Sequence, residues 1–124
     1  MWAGVKECHQ SLRVENRTRA ALLGDAIEVA DTSGKRRTGL LKHASLPEGH
    51  GLWIVPCEGV HTFGMKFPID VLFLNKKRKV LKIRQDMGRR KWAFCFTAHS
   101  TLELPAGTIA ATGTQAGDEL EFVK

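Results

Sequence analysis

Between His61 and Leu74 the chain reads HTFGMKFPIDVLFL, a strongly apolar run that carries a His, a Thr, a Met and an Asp. A carboxylate inside a buried strand is costly unless a cation or hydrogen-bond donors satisfy it. Asp70 alternates with Ile69 and Val71 and shares a strand face with Leu72 and Leu74. If that face is buried, Arg36, Arg37 and His61 are the candidate partners. One reading makes Asp70 an anchor that ties a loop or a helix to the sheet. The other has it orient His61, which then acts as a base or a ligand. Glu103 sits between Leu102 and Leu104. With both leucines facing the core, it points outward or into a cleft. Asp70 and Glu103 together suit acid–base chemistry, but their spacing in the chain does not fix their separation.

Cys57, His61 and Met65 form a C-x3-H-x3-M pattern. A Cys, a Met and two His are the ligand set of a blue copper site, and His9, His43 and His50 lie upstream to supply the second imidazole. Gly59 and Gly64 interrupt the stretch, so a shared helical face does not follow. The alternative has Cys57 as a small buried hydrophobe, Met65 as core filling and His61 as a loop cap. A nucleophilic Cys57 activated by His61 is a third option, and the charge of Glu58 opposes the lowered pKa that it needs. Cys95 and His99 repeat the C-x3-H spacing, but along a strand they stand ~13 Å apart, too far to chelate together. Phosphate-loop patterns are absent. The expectation is therefore no cofactor and no metal, with Cys57, His61 and Met65 kept as the alternative metal set.

These residues need a scaffold. The 124 residues suit one domain, with an apolar fraction of 43%. No window reaches the roughly 18 consecutive apolar residues of a membrane helix, and the first residues lack the apolar core of a signal peptide. Three cysteines without a CxxC fit a reducing compartment. The expected localisation is cytoplasmic. Residues 1–19 show no clear periodicity and are expected as a loosely ordered lead-in to a domain over 20–124. Residues 22–30 read as a strand, and Ser33 can cap a short helix over 34–43 that buries Leu40 and Leu41. Residues 51–55, 69–75, 80–84, 93–97, 101–104 and 118–123 read as further strands. The 69–75 strand is apolar on both faces, which suits a central position. The pattern is mainly β (α+β), a single-domain β-sandwich or small open barrel with one short helix after the first strand. A parallel βαβ sheet is not expected.

The net charge is +6. Lys76, Lys77, Arg78, Lys79, Lys82 and Arg84 crowd together, and Arg89, Arg90 and Lys91 follow. Such a cluster can track phosphates, but it also suits a solvated hairpin that guards an edge. Aromatic residues do not interleave with it, and Trp92, Phe94 and Phe96, spaced by two, are expected on a core-facing strand side. Nucleic acid is therefore not an expected partner.

Several segments, taken in order, carry a resemblance. They are Arg37-Thr38-Gly39-Leu40, Leu46-Pro47, Gly51-Leu52-Trp53-Ile54-Val55, Met65 with Pro68-Ile69-Asp70-Val71-Leu72-Phe73-Leu74, Leu102-Glu103-Leu104-Pro105-Ala106-Gly107, and Gly117-Asp118. Over roughly residues 22–124 the chain resembles the DUF192 family of small bacterial and archaeal proteins of unknown function. The resemblance implies a compact, mainly β fold with a short helix after the first strand, and it implies no activity.

Two functions follow as expectations. The first is a binding module for a small polar ligand or a peptide, at a cleft formed by Arg37, Trp53, His61, Thr62, Met65, Asp70 and Glu103. The second is a metalloprotein or hydrolase-type enzyme that uses His61 with Asp70 or Cys57. The expected partner is an unidentified small ligand or protein, with no membrane, and the chain is expected as a monomer or weak oligomer.

Overall fold

The computed structural model describes residues 11–41 and 43–124. Along them run β1 (Ser11–Asn16), β2 (Ala21–Ala30), α1 (Ser33–Thr38), β3 (His50–Ile54), β4 (Gly59–His61), β5 (Ile69–Leu74) and β6 (Val80–Met87). The order continues with β7 (Trp92–Phe94), β8 (Ser100–Pro105), α2 (Thr108–Thr112) and β9 (Leu120–Val123). Seven strands form one sheet in the order β6-β5-β8-β3-β2-β1-β9, and β4 pairs with β7 in a separate ribbon. The two edges of the large sheet approach each other. Lys79 bridges Glu119, and the N–H groups of Val80 and Leu120 donate to the carbonyls of Asp118 and Arg78 at 2.8 and 3.0 Å. The sheet is thus a small, mainly β open barrel whose rim is joined at one end.

Both faces of the sheet are covered, which explains the continuous apolar run of β5: all six of its residues are buried. Leu72, Leu74, Leu102 and Leu104 point inward with Val14, Ile27 and Leu120. Val71, Phe73, Leu52 and Ile54 point the other way and pack under Leu40, Val60, Met65 and Ala93. The β4–β7 ribbon and the segment after α1 supply that second cover.

The helix is shorter than expected. Its N-cap is Thr32, whose Oγ1 accepts from the Lys35 N–H at 3.2 Å. It ends at Gly39, whose φ of 50° leaves the helical region. Leu40 is buried as expected, while Leu41 is about one-third exposed, at 37%. A second short helix, α2, follows β8, where no helical pattern was evident. Residues 11–16, inside the expected lead-in, form β1 between β2 and β9. Residues 1–10, with Cys8 and His9, lie outside the described residues. The β2–α1–β3 segment joins two parallel strands, one parallel pair in an otherwise antiparallel sheet.

Candidate functional site

Strand β8 carries Glu103 between Leu52 of β3 and Val71 of β5. Leu102 and Leu104 fill the barrel interior, so Glu103 faces the opposite layer. That layer is roofed by Leu40, Val60 and Met65, and Glu103 is only 4% exposed. Its Oε1 has no hydrogen-bond partner among the described residues. Burial of the carboxylate raises its pKa from 4.5 to about 7.

Glu103 lies at the floor of an open cavity of about 350 Å³. The walls come from the end of β3, the following loop, β4 and the segment after α1. Cys57, His61 and Met65 line it, and Arg36 and Arg37 stand at its mouth. Arg36 is fixed by two carbonyls: its Nη1 donates to Asp31 O at 2.9 Å and to Val55 O at 3.3 Å. That pair of bonds holds α1 against the exit of β3. The Cys57 thiol donates to Gly59 O at 3.2 Å, and the Thr101 hydroxyl donates to Cys57 O at 3.2 Å. Burial pushes the Cys57 pKa up, and the Glu103 charge adds to that; the Thr101 hydroxyl, the Gly59 backbone and Arg36 act against it and lose. A thiol held protonated is a poor nucleophile.

The residues singled out in the sequence separate into two groups. Arg37, Cys57, His61, Met65 and Glu103 meet at the cavity. Asp70, Thr62 and Trp53 do not. Asp70 Oδ2 accepts from the N–H groups of Gly107 and Ile109 at 3.1 and 2.9 Å, and Oδ1 accepts from Asp86 N–H at 2.7 Å. It caps α2, whose own N-cap Gly107 has no side chain to do so. Asp70 is the anchor of the first reading, with backbone N–H groups in place of the expected Arg or His partner. Thr62 is fully buried, and its hydroxyl accepts from Lys91 N–H at 2.8 Å and donates to Gly88 O, tying β4 to the turn before β7. Trp53 packs on Phe122 at 4.6 Å between centroids, beneath the Arg78 guanidinium. It lines a different cavity.

Cys57, His61 and Met65 share the cavity wall, yet among the described residues no three His, Cys, Asp or Glu side chains are grouped to hold a metal ion. The His61 ring stands at 5.8 Å from Phe63 and 5.3 Å from Trp92. Arg36, in sequence a candidate partner for Asp70, lines this cavity instead. The depth of Glu103 was also not evident, because alternation along β8 shows which side it faces but not that the β4–β7 ribbon covers that side.

Fold and cavity together define a small β-barrel-like protein with an open cavity lined by a buried carboxyl. The chain belongs to the DUF192 family, described as an uncharacterized ACR, whose model matches residues 14–122. Among its relatives are UPF0127 proteins of Thermococcus sibiricus (strain DSM 12597 / MM 739) and Thermococcus gammatolerans (strain DSM 15229 / JCM 11827 / EJ3). They are 29% and 27% identical to it over 115 and 113 residues, each match covering 86% of this chain and 72% of the relative. Two crystal structures share the fold. One, a protein of unknown function from Novosphingobium aromaticivorans DSM 12444, superposes with a TM-score of 0.77 at 20% identity, covering 91% of this chain and 84% of that one. The other, described as a candidate transcription regulator from Sinorhizobium meliloti 1021, gives 0.78 at 22% identity, covering 90% and 91%.

Proposed function

We propose that this protein is a binding module that takes a small polar ligand into the Glu103 cavity. The observation that carries the proposal is that Glu103, which lines the cavity, has a buried Oε1 with no hydrogen-bond partner among the described residues. A buried acceptor without a donor costs about 1–3 kcal/mol or more, and a ligand N–H or ammonium there would remove that cost. Arg36 and Arg37 at the mouth suit an anionic group on the other end of the ligand. The cavity is at the small end of ligand sites. A zwitterion of amino-acid size fits both ends.

Thermal shift with a panel of free amino acids and primary amines tests this, for wild type and Glu103→Gln. A midpoint rise in wild type that the variant loses supports the reading. Identical responses of the two proteins to every compound would sink it. A catalytic reading rests on the same carboxyl, since a group titrating near neutrality suits proton transfer. It requires that Glu103→Gln abolish turnover of a bound compound while leaving its binding intact.

A further inference from the structure

We propose that the β4–β7 ribbon is a binding surface for single-stranded nucleic acid, with bases stacking on Trp92, Phe94 and Phe96 and neighbouring cations holding the phosphates. The proposal goes beyond the cavity reading and does not depend on it.

The three rings were expected in the core, and they are exposed. Trp92 is 54%, Phe94 44% and Phe96 77% exposed. They form a continuous series with centroids 5.7 and 5.8 Å apart and planes tilted by only 10° and 15°. Phe63 and His61 extend the row at the Trp92 end. Exposed aromatic rings in a row are what successive unpaired bases stack on. Phe94 is seated by Gly59, its cross-strand partner: a Cβ at Gly59 would meet the Phe94 ring at 2.7 Å. A side chain at that position would lift the ring off the ribbon.

Charge complementarity identifies the occupant. From residue 75 to 99 there are nine Lys or Arg against one acid, Asp86. The cations are also placed beside the rings. Lys82 Nζ donates to the Phe94 carbonyl at 2.8 Å, and Arg84 Nη1 donates to the Trp92 carbonyl at 3.2 Å. Lys76 and Lys77 line the cleft beside Phe96, and Lys91 precedes Trp92 in the chain. Glu58 is the acid that lines the cleft beside the rings. The absence of interleaved aromatics, which argues against nucleic acid in the sequence, does not hold in space, because the β6–β7 connection folds the rings back beside Lys82 and Arg84 of β6. Every large apolar side chain exposed between residues 59 and 99 is aromatic. A membrane wedge would not need that restriction; a base-stacking surface does.

The test is fluorescence anisotropy of short labelled oligothymidylate and oligouridylate on the full chain, titrated between about 50 and 200 mM salt. Binding should weaken steeply over that range. Phe96→Ala, a change at a largely exposed side chain, should weaken it about tenfold, the loss of one base stack, with an unchanged unfolding midpoint. Glu103→Gln should leave it unchanged, which separates this surface from the cavity. No binding at the low-salt end overturns the proposal. So does equal binding of heparin with no effect of Phe96→Ala, which is unspecific polyanion attraction. Binding to anionic lipid vesicles but not to oligonucleotides, or a dimer that Phe96→Ala dissociates, reassigns the rings to a membrane or to a second copy.

Discussion

Glu103→Gln should flatten the loss of stability that this protein suffers as pH rises from about 5 to 8. In the folded protein the Glu103 pKa stands near 7, against 4.5 in the unfolded chain. Below 4.5 the group is protonated in both states and costs nothing. Between the two values the folded state holds a proton that the unfolded state has released, so stability falls with rising pH. Above about 7 the penalty is complete. The difference of about 2.5 units, at 1.36 kcal/mol each, makes it roughly 3 kcal/mol, an order-of-magnitude figure. For a chain of this length that corresponds to about 10 °C in melting temperature. The assay is urea unfolding of wild type and variant at several pH values across the window. Whatever other groups contribute is common to both curves, so the informative quantity is the difference between the two proteins. That difference should move in favour of Gln by a few kcal/mol between the ends of the window. Parallel curves would refute the reasoning, since they would mean that Glu103 is hydrated or paired.

Asp70→Ala should destabilise the fold by roughly 3 kcal/mol or more, because three backbone N–H groups lose their acceptor in a buried setting; urea unfolding measures it, and an effect below about 1 kcal/mol would show that water replaces the carboxylate. Cys57 should react with a maleimide more slowly than a free cysteine at neutral pH, since burial holds its thiol protonated; peptide mass spectrometry after timed labelling reads the rate, and a fast reaction contradicts the geometry. Burial alone would raise the Asp118 pKa, but hydrogen bonds from Arg19, Asn16 and the Gln115 N–H outweigh it and lower the pKa below 3.8. Its stabilisation is present above 3.8 and is lost as pH falls through the folded value. Asp118→Asn should therefore unfold less steeply than wild type on acidification below about pH 4, as followed by circular dichroism.

The strands of this fold were legible where one rule sufficed. The two-faced apolar run of 69–74 announced a strand covered on both sides, and the β5–β6 hairpin announced its polar turn. Three features were not legible, and each depends on chain segments distant in sequence. The stretch after Pro105 gave no helical pattern; α2 forms there because Asp70, on another strand, supplies the cap that Gly107 lacks. The first 19 residues show no sustained periodicity, so β1 is hidden among them; Leu12, Val14 and Asn16 alternate inward there once β1 pairs with the neighbouring β2 and with β9 at the far end of the chain. Period-two spacing placed Trp92, Phe94 and Phe96 on one face correctly, but it does not say which face of a two-stranded ribbon is covered. Ala93, on the other face, is the buried one.

The two buried carboxylates show why the site lies where it does. Asp70 and Glu103 sit on adjacent strands, β5 and β8, and the pairing offsets them by a single row, with Asp70 beside Leu104 and Val71 beside Glu103. Alternation therefore turns them to opposite faces of the sheet. On the α2 side, a helix start offers N–H groups, and Asp70 is held by two of them and by the Asp86 N–H of β6. On the side of the β4–β7 ribbon, the roof is built of Leu40, Val60 and Met65, side chains with nothing to donate. A protein selected for stability alone has no use for an acid there, because an apolar residue of similar size would remove the burial penalty. What Glu103 provides is an acceptor near neutrality beneath an open mouth. A ligand that donates to it would favour the ionised form and lower its pKa. Such a ligand should bind more tightly as pH rises toward and past 7, with a proton released on binding in the range between the free and bound pKa values. A compound whose affinity for wild type showed no pH dependence across that range would not be using Glu103.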